Sequence, residues 1–250
     1  MTREVQGEIR INKAIASAGL ASRREADRLI LQGEVRVNGQ RVREPGLLLR
    51  PGKDLLEVSG QAVSWEAAPE TEVWALYKPK NVISTLKDPQ GRPSIAQLIP
   101  RSAGRLFPVG RLDYDAEGLI LLTNDGALAH RVAHPSFGVE KVYLVKLKGL
   151  VSRESLGALR LGPVFEGKRR QGMRVEILHT RNDKTWVEAT LREGVNHHLK
   201  KAFFSVGHRV LKIKRYRIGP VELNDMKPGE SRRLGGVEIA WMMAREARRK

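Results

Sequence analysis

Residues 110–126 read Gly110-Arg111-Leu112-Asp113-Tyr114-Asp115-Ala116-Glu117-Gly118-Leu119-Ile120-Leu121-Leu122-Thr123-Asn124-Asp125-Gly126. The first half is a polar loop with acidic residues at positions 113, 115 and 117, and the second half is an apolar run that predicts a buried strand. Asn124 or Asp125 fits the N-cap of a following helix. Polar loops held on a rigid sheet often carry catalytic residues. From the residues alone the loop offers candidate carboxylates, while Asp115 and Glu117 could also simply form the turn.

The sequence around this stretch predicts a sheet with few helices. Apolar runs, several of them alternating, predict strands over residues 73–77, 119–122, 141–148, 174–178, 185–191 and 210–218. Apolar residues at helical spacing predict helices over residues 127–132, 153–161, 196–206 and 237–249. Many strands with few helices indicate an α+β domain with a mainly antiparallel sheet. The Arg-rich end, residues 245–250, is predicted to be a solvated tail.

Residues 8–64 are predicted to form a small separate domain. Apolar positions from Ile11 to Ala18 have helical spacing, and Ser22-Arg23-Arg24-Glu25 has the form of a capping box that opens a second helix. Asn38-Gly39 predicts a type I′ turn between two strands. Residues 65–71 are acidic, contain proline and lack a period, which predicts a linker. The larger domain is then expected over residues 72–250.

The composition indicates a polyanionic partner. The net charge is +17, from 45 Lys and Arg against 28 Asp and Glu, and bound cations release the counterions condensed on nucleic acid. The absence of cysteine excludes disulfides, cysteine nucleophiles and cysteine-bound metal sites. With neither an apolar signal segment nor an apolar run long enough to cross a bilayer, the sequence predicts a cytoplasmic protein without membrane contact.

The N-terminal domain resembles the α-L RNA-binding domain first described in a small-subunit ribosomal protein. The resemblance rests on three stretches, Arg10–Lys13, Gly19–Ala26 and Gly33–Gly39. It implies that exposed basic residues of this domain bind RNA, namely Arg10, Lys13, Arg23, Arg24, Arg28 and Arg36.

The run at 110–126 resembles the signature loop of the pseudouridine synthases of the RsuA/RluB group. Further motifs of the group are matched by Lys78-Pro79 with Gly91-Arg92, Glu140–Val145, Glu193–Lys201 and Arg217–Pro220. The resemblance covers nearly the whole chain. The sequence Asp-Tyr-Asp-Ala-Glu-Gly at residues 113–118 favours the RluB-like branch, which modifies 23S rather than 16S ribosomal RNA. The resemblance therefore implies a monomeric enzyme that isomerises one uridine in that RNA.

The resemblance also implies a role for particular residues. Asp113 would be the nucleophile, either attacking ribose C1′ or assisting elimination to a glycal-like intermediate. Lys200 matches the family's basic partner of that aspartate, and a nearby cation keeps a partly buried carboxylate ionised. Tyr143 would stack on the target base, with its hydroxyl available to help remove the C5 proton. Substrate contacts are implied for Arg111, Leu112, Leu199 and Lys78.

Base flipping and the absence of a cofactor complete the expected reaction. Arg111 could fill the gap left in the RNA when the uridine flips out. An isomerisation needs no redox or energy cofactor, in keeping with a chain that has neither a P-loop nor a dinucleotide fingerprint. Lys212, Lys214 and Arg215 follow the motif at Glu193–Lys201, which is the third motif of the group. They are predicted to contact phosphates, with a solvated strand edge as the alternative.

The third motif departs from the family's usual sequence, and two other functions are open alternatives. Many relatives read Asn-Arg-Gln-Val-Arg-Arg-Met in the third motif where this chain has residues 196–202, Asn-His-His-Leu-Lys-Lys-Ala, and Leu199 also fits a helical core stripe. His130 and His134 at i, i+4 spacing, or Asp113 with Asp115, could hold a metal instead, although no metal site is predicted. A non-catalytic RNA-binding or ribosome-assembly protein would share the charge and the first domain, but it should tolerate replacement of Asp113.

Overall fold

The computed structural model describes residues 7–64, 70–193 and 197–244. The chain divides into two compact units, Met1–Thr71 and Glu72–Lys250. Several sequence expectations fall wholly or partly outside the described residues. These are the linker apart from residues 70 and 71, residues 194–196 of the motif at Glu193–Lys201 with the start of the helix expected at 196, the end of the helix expected over 237–249, and the Arg-rich end at 245–250.

In the N-terminal unit two helices and six short strands share one apolar core. The helices are α1, Ile11–Ser17, and α2, Arg23–Gln32. The strands are β1 Ile9–Arg10, β2 Val35–Val37, β3 Gln40–Val42, β4 Leu48–Leu49, β5 Leu56–Val58 and β6 Gln61–Ala62. Strands β3, β2, β5 and β6 form one sheet in that order, and β1 pairs with β4.

Local signals account for these elements. The Ser22 hydroxyl accepts a hydrogen bond from the Glu25 amide at 3.2 Å, which confirms the predicted N-cap of α2. Gly33 ends that helix in the left-handed conformation, with φ 76°. The turn between β2 and β3 has φ 50° at Asn38 and 79° at Gly39, as a type I′ turn requires.

The second unit is built on one large sheet. The strands of this unit are β7 Val73–Lys78, β8 Phe107–Val109, β9 Glu117–Thr123, β10 Lys141–Lys148, β11 Val164–Phe165, β12 Lys168–Arg169, β13 Arg174–Thr180, β14 Lys184–Leu191, β15 Val210–Ile218, β16 Val221–Glu222 and β17 Ser231–Arg233. Strands β11 and β12 form a separate two-stranded sheet. The α-helices are α3 Gly126–Ala133, α4 Arg153–Leu161, α5 His198–Ser205 and α6 Gly236–Met243, with 3-10 helices at Ile95–Leu98 and Pro135–Phe137.

The order of the strands is β13-β14-β10-β15-β9-β7-β17, with β8 on β9 and β16 on β15. All these pairs are antiparallel except β15 with β9. The predicted α+β architecture with a mainly antiparallel sheet is therefore confirmed. Among the described helices none is long and apolar enough to cross a membrane.

Both faces of the sheet are covered. Around β7 and β9, Val73 and Leu121 pack on one face with α3, while Leu76 and Ile120 pack on the other with Ile95. Towards the other edge, β10 and β14 pack against α4 and α5. Alternate residues of β7 and β9 therefore belong to different cores.

The parallel pair β9 and β15 meets closely at Gly118, which is the register partner of Arg215. Gly118 has φ 121°, and a Cβ atom there would lie 2.1 Å from the carbonyl oxygen of Arg215. Only glycine tolerates this approach. The contact fixes the loop that precedes β9 over the middle of β15.

Candidate active site

The loop between β8 and β9, which carries Asp113, is tied to a neighbouring loop by its backbone. The buried Ser84 hydroxyl donates to the Leu112 carbonyl at 2.8 Å and accepts from the Leu112 amide at 3.0 Å. The Asn81 amide donates to the Tyr114 carbonyl at 2.8 Å. These bonds on both sides of Asp113 determine where its carboxylate points.

Lys200 brings its ammonium to this loop from the first turn of α5. Its Nζ lies 3.3 Å from Asp113 Oδ2 and 2.6 Å from Asp115 Oδ1. His197 Nε2 lies 3.5 Å from the other oxygen of Asp113. We call these four residues, Asp113, Asp115, His197 and Lys200, the mouth cluster. One ammonium therefore holds two carboxylates that the sequence separates by a single residue.

The electrostatics of the mouth cluster keep both Lys200 and Asp115 charged. Burial alone would lower the pKa of Lys200, but its hydrogen bond to Asp115 and the charges of Asp113 and Asp115 outweigh burial and raise that pKa. Burial would likewise raise the pKa of Asp115, and the hydrogen bond and charge of Lys200 bring it below the usual value. Lys200 is thus a stable cation beside Asp113 at neutral pH.

A cavity of about 520 Å³ extends from Asp113 over the sheet, within the size range of small-molecule sites. Leu112 and Leu199 form part of its apolar wall. Tyr143 on β10 lies across from Arg215 on β15, and the Arg215 Nη1 atom is 3.5 Å from the tyrosine hydroxyl. The structure thereby brings together six residues expected from the sequence, Arg111, Leu112, Asp113, Tyr143, Leu199 and Lys200.

The sheet side of this cavity contains two buried cations, Lys141 and Arg215, which we call the floor pair. Arg215 Nε donates to the Leu119 carbonyl at 2.7 Å. Arg215 is 4% exposed, so it lines the cavity rather than the outer surface where the expected phosphate contact would lie. Burial, and then the charge of Arg215, lower the pKa of Lys141 to about 8.

Lys78 does not line the cavity, in contrast to the substrate contact expected for it. It is fully buried, and its ammonium donates to the carbonyls of Pro79 at 2.9 Å and Val82 at 2.7 Å. Burial lowers its pKa to about 8, against the opposing charge of Asp113. Its position suits a role in holding the 78–84 loop, which in turn holds the Asp113 loop through Ser84.

A second cavity, of about 630 Å³, lies on the other side of the mouth cluster. Asp113, Lys200 and the exposed Arg111 line both cavities. Further basic residues of the second cavity are Lys87 and Arg92, and Arg92 is paired with Asp88 at 2.9 Å. The lining also contains Asp88, Asp113 and Asp115, and its basic residues suit a phosphate-bearing strand that passes Asp113.

The other two residues of β15 expected to contact phosphates, Lys212 and Lys214, lie on the opposite face from Arg215. Lys212 pairs with Glu117 at 2.7 Å, and the Lys214 ammonium lies 5.0 Å from the centre of the Tyr77 ring. Both side chains remain partly exposed, so they are still available to a phosphate.

In the N-terminal unit, the six basic residues expected to bind RNA are all exposed: Arg10, Lys13, Arg23, Arg24, Arg28 and Arg36. Some already have protein partners. Arg28 pairs with Glu25, Arg23 reaches Asn12 at 3.5 Å, and Arg36 donates to the Gly39 carbonyl at 3.2 Å. The Glu25 carboxylate, expected in a capping box, is thus also engaged with Arg28.

Sequence reasoning missed Lys141, His197 and Ser84. Lys141 could have been found, because a charged residue two positions before Tyr143 on an alternating strand shares its face. His197 appeared only as part of the motif at residues 196–202, and no role was assigned to it. Within the described ranges no group of three metal-ligating side chains is found; the His130 and His134 rings stack 4.8 Å apart, and Asp113 and Asp115 converge on Lys200.

Comparison with known proteins gives consistent matches for both units. The family described as RNA pseudouridylate synthase matches residues 72–205, and the S4 domain matches residues 9–55. Ribosomal large subunit pseudouridine synthase B of Bacillus subtilis is 37% identical over 237 residues, covering 94% of this chain and 96% of that protein. An uncharacterized RNA pseudouridine synthase of Aquifex aeolicus is 40% identical over 235 residues, 93% of each chain. The crystal structure of a pseudouridylate synthase superimposes with a TM-score of 0.67 at 32% identity, covering 94% of this chain and 99% of that one.

Proposed function

The chain belongs to the RNA pseudouridylate synthase family, and from that premise we propose that it isomerises one uridine of 23S ribosomal RNA with Asp113 as nucleophile. The observation that carries the proposal is the position of Asp113, 3.3 Å from Lys200 at the opening of the 520 Å³ cavity. The 23S preference is supported by the similarity to the B. subtilis large-subunit enzyme.

Asp113 must meet ribose C1′ while the base lies in the cavity, so the target nucleotide leaves the RNA stack. The Lys200 ammonium lies 3.3 Å from Asp113 Oδ2 and holds this carboxylate in position for either direct attack or assisted elimination. Tyr143 offers its ring to the base from the sheet side, and Leu199 offers an apolar surface from α5. Arg111, exposed beside both cavities, is placed to enter the gap left in the RNA.

The isomerisation conserves all atoms. The C1′–N1 bond breaks, the uracil turns, a C5–C1′ bond forms, and the hydrogen on C5 leaves as a proton while N1 gains one. Because there is no net oxidation or group transfer, the proposed reaction uses no cofactor. The Tyr143 hydroxyl, on the cavity surface, is the group we assign to help remove the C5 proton.

The division of labour we propose follows the two units. Residues 8–64 grip structured RNA through the exposed basic residues of α1, α2 and β2, residues 65–71 serve as a linker, and residues 72–250 catalyse the reaction. Lys212 and Lys214 contact phosphates beside the target. The enzyme acts as a monomer in the cytoplasm, where ribosomal RNA is modified.

The test is tritium release from transcribed 23S fragments labelled at uridine C5, because forming the new carbon–carbon bond expels that hydrogen. Wild type should release tritium, and Asp113→Asn should release less than about 10⁻³ of the wild-type amount while still binding RNA. The matched control is Asp183→Asn, in an exposed turn with φ 52°, where asparagine is well tolerated. It should react like wild type.

The alternative function predicts a different result. A ribosome-assembly protein would bind the same fragments tightly and release no tritium as wild type. Release that persists in Asp113→Asn would instead preserve the activity and remove Asp113 as the nucleophile.

A further inference from the structure

Lys141 lies in the cavity with an unpaired ammonium. It is 8% exposed, and among the described residues its Nζ has no hydrogen-bond partner. The same is true of Arg215 Nη2. Five buried side-chain nitrogen or oxygen atoms within the described ranges lack partners, and four of them belong to cavity residues, namely Lys141, Arg215 and, with two atoms, His198. Such a concentration marks a place where a ligand supplies the acceptor.

The position of Lys141 follows from strand geometry. It precedes Tyr143 by two residues on β10, so both side chains lie on the same face with Cα atoms about 7 Å apart. Its register partners are Leu191 and Ile218, which are both apolar and both line the cavity. Neither register partner carries a charge, and the cation Arg215 opposes the charge of Lys141. The cavity is also lined by Glu193, but the Lys141 ammonium has no hydrogen-bond partner among the described residues. An unpaired buried cation is unfavourable for folding.

We propose that Lys141 donates a hydrogen bond to the O4 carbonyl oxygen of the flipped uracil, and so both selects uracil and stabilises its departure. The inference rests on the proposed function, because it concerns the substrate of the same site. Lysine donates and cannot accept. Uracil has a carbonyl at position 4 where cytosine has an amino donor, so cytosine would leave the Lys141 ammonium unsatisfied. A site built around a buried hydrogen bond rejects a ligand that lacks the matching group.

A phosphate oxygen of the RNA is the alternative acceptor for the Lys141 ammonium. The neighbours of Lys141 favour the base carbonyl. The strand neighbours of Lys141 are the apolar Leu191 and Ile218, and Lys141 is 8% exposed, a setting that suits a flat base better than a strongly hydrated phosphate. The RNA strand must also enter and leave the site, so its phosphates stay near the openings. The cations placed there are Lys87, Arg92 and Arg111.

The Lys141 ammonium also lies where negative charge develops on the uracil. When the C1′–N1 bond breaks, its electron pair goes to N1 and spreads onto the two carbonyl oxygens of the uracil. This holds for attack at C1′ and for elimination alike. A fixed ammonium at one of these oxygens stabilises the charge as it develops, which is the most effective form of electrostatic catalysis. The electron pair is used when C5 bonds to C1′, and the proton that C5 then loses is balanced by the proton that N1 gains.

The test compares Lys141→Met, which keeps the length of the side chain, with Lys148→Met on the exposed end of the same strand. Single-turnover tritium release at saturating RNA should fall about 100-fold to 1,000-fold in Lys141→Met and stay unchanged in Lys148→Met. The Kd for the uridine RNA should change by less than about threefold, because the effect lies mainly in the transition state. The melting temperature of Lys141→Met should not fall, since an unpaired buried charge has been removed.

A second variant, Lys141→Gln, retains a donor without the charge and should lose only about tenfold in rate. If Lys141→Met does not fold, the rate of tritium release by Lys141→Gln tests the proposal in its place. Binding to RNA with a cytidine at the target position should weaken relative to uridine RNA for wild type, and this difference should shrink in Lys141→Met.

RNA with an abasic target nucleotide distinguishes the two sources of the acceptor. If Lys141 contacts the base, wild type and Lys141→Met bind abasic RNA equally well. If Lys141→Met loses affinity for abasic and uridine RNA alike, with a shallower salt dependence, the contact is a phosphate and the proposal is overturned. Unchanged tritium release in Lys141→Met also overturns it while the proposed function stands. Wild type without release overturns the proposed function itself.

Discussion

The mouth cluster and the floor pair border the same cavity, but their lysines differ in ion pairing and in the direction of the pKa shift. Lys200 is paired with two carboxylates, and its pKa is raised. Lys141 has no partner among the described residues, and burial lowers its pKa to about 8. A lysine that is paired within the protein, such as Lys200, holds a protein group in position, and here that group is Asp113. A cation without a protein partner is free to bind a group of the substrate.

The largest effect at the mouth cluster should come from Lys200→Met. Without the ammonium, Asp113 and Asp115 repel each other and Asp113 loses the ion pair that positions its carboxylate. Tritium release should fall about 100-fold to 1,000-fold, and Lys200→Arg should restore most of it. Lys201→Met is the matched control, because Lys201 lies next on the same helix and pairs with Glu166 at 2.6 Å. Equal losses in the two methionine variants would contradict a special role for Lys200.

Gly118 connects the two regions, because it joins the strand after the mouth loop to the strand that carries Arg215. Gly118→Ala introduces a Cβ atom at φ 121°, 2.1 Å from the Arg215 carbonyl oxygen. We expect the free energy of unfolding to fall by about 2–4 kcal/mol, with reduced tritium release. Urea unfolding measures the first effect. Gly157→Ala in α4, where no atom approaches the new methyl group within 4 Å, should instead gain up to about 1 kcal/mol.

The smallest effect should be a rise in stability between pH 8 and pH 9.5. The pKa values of Lys78 and Lys141 are lowered from 10.5 to about 8. In this window the unfolded chain keeps both protons while the folded chain releases them, so the free energy of unfolding increases with pH, by about 1–2 kcal/mol for each lysine. Urea unfolding at several pH values should show a smaller rise in Lys141→Met. A rise of wild-type size in that variant would mean that Lys141 titrates normally.

Much of the secondary structure followed from the sequence because its causes are local. Strands Lys141–Lys148 and Val210–Ile218 and helix Arg153–Leu161 have the predicted bounds. The Ser22 cap and the Asn38-Gly39 turn depend on dihedral angles and hydrogen bonds within a few residues. Strands β8 and β17 were not predicted. The first contains Pro108, and the second is the charged edge segment Ser231-Arg232-Arg233 without apolar alternation.

The sequence by itself determined the two-part organisation, the family and the identity of Asp113 as the candidate nucleophile, since these depend on patterns and motifs along the chain. Only the tertiary structure decided which charges have partners. Lys200 meets Asp115 across 85 residues of sequence, Arg215 is buried because β15 packs against Gly118, and Lys141 faces two apolar neighbours. Burial and ion pairing depend on which strands lie side by side, and no local rule for dihedral angles or periodicity contains that information.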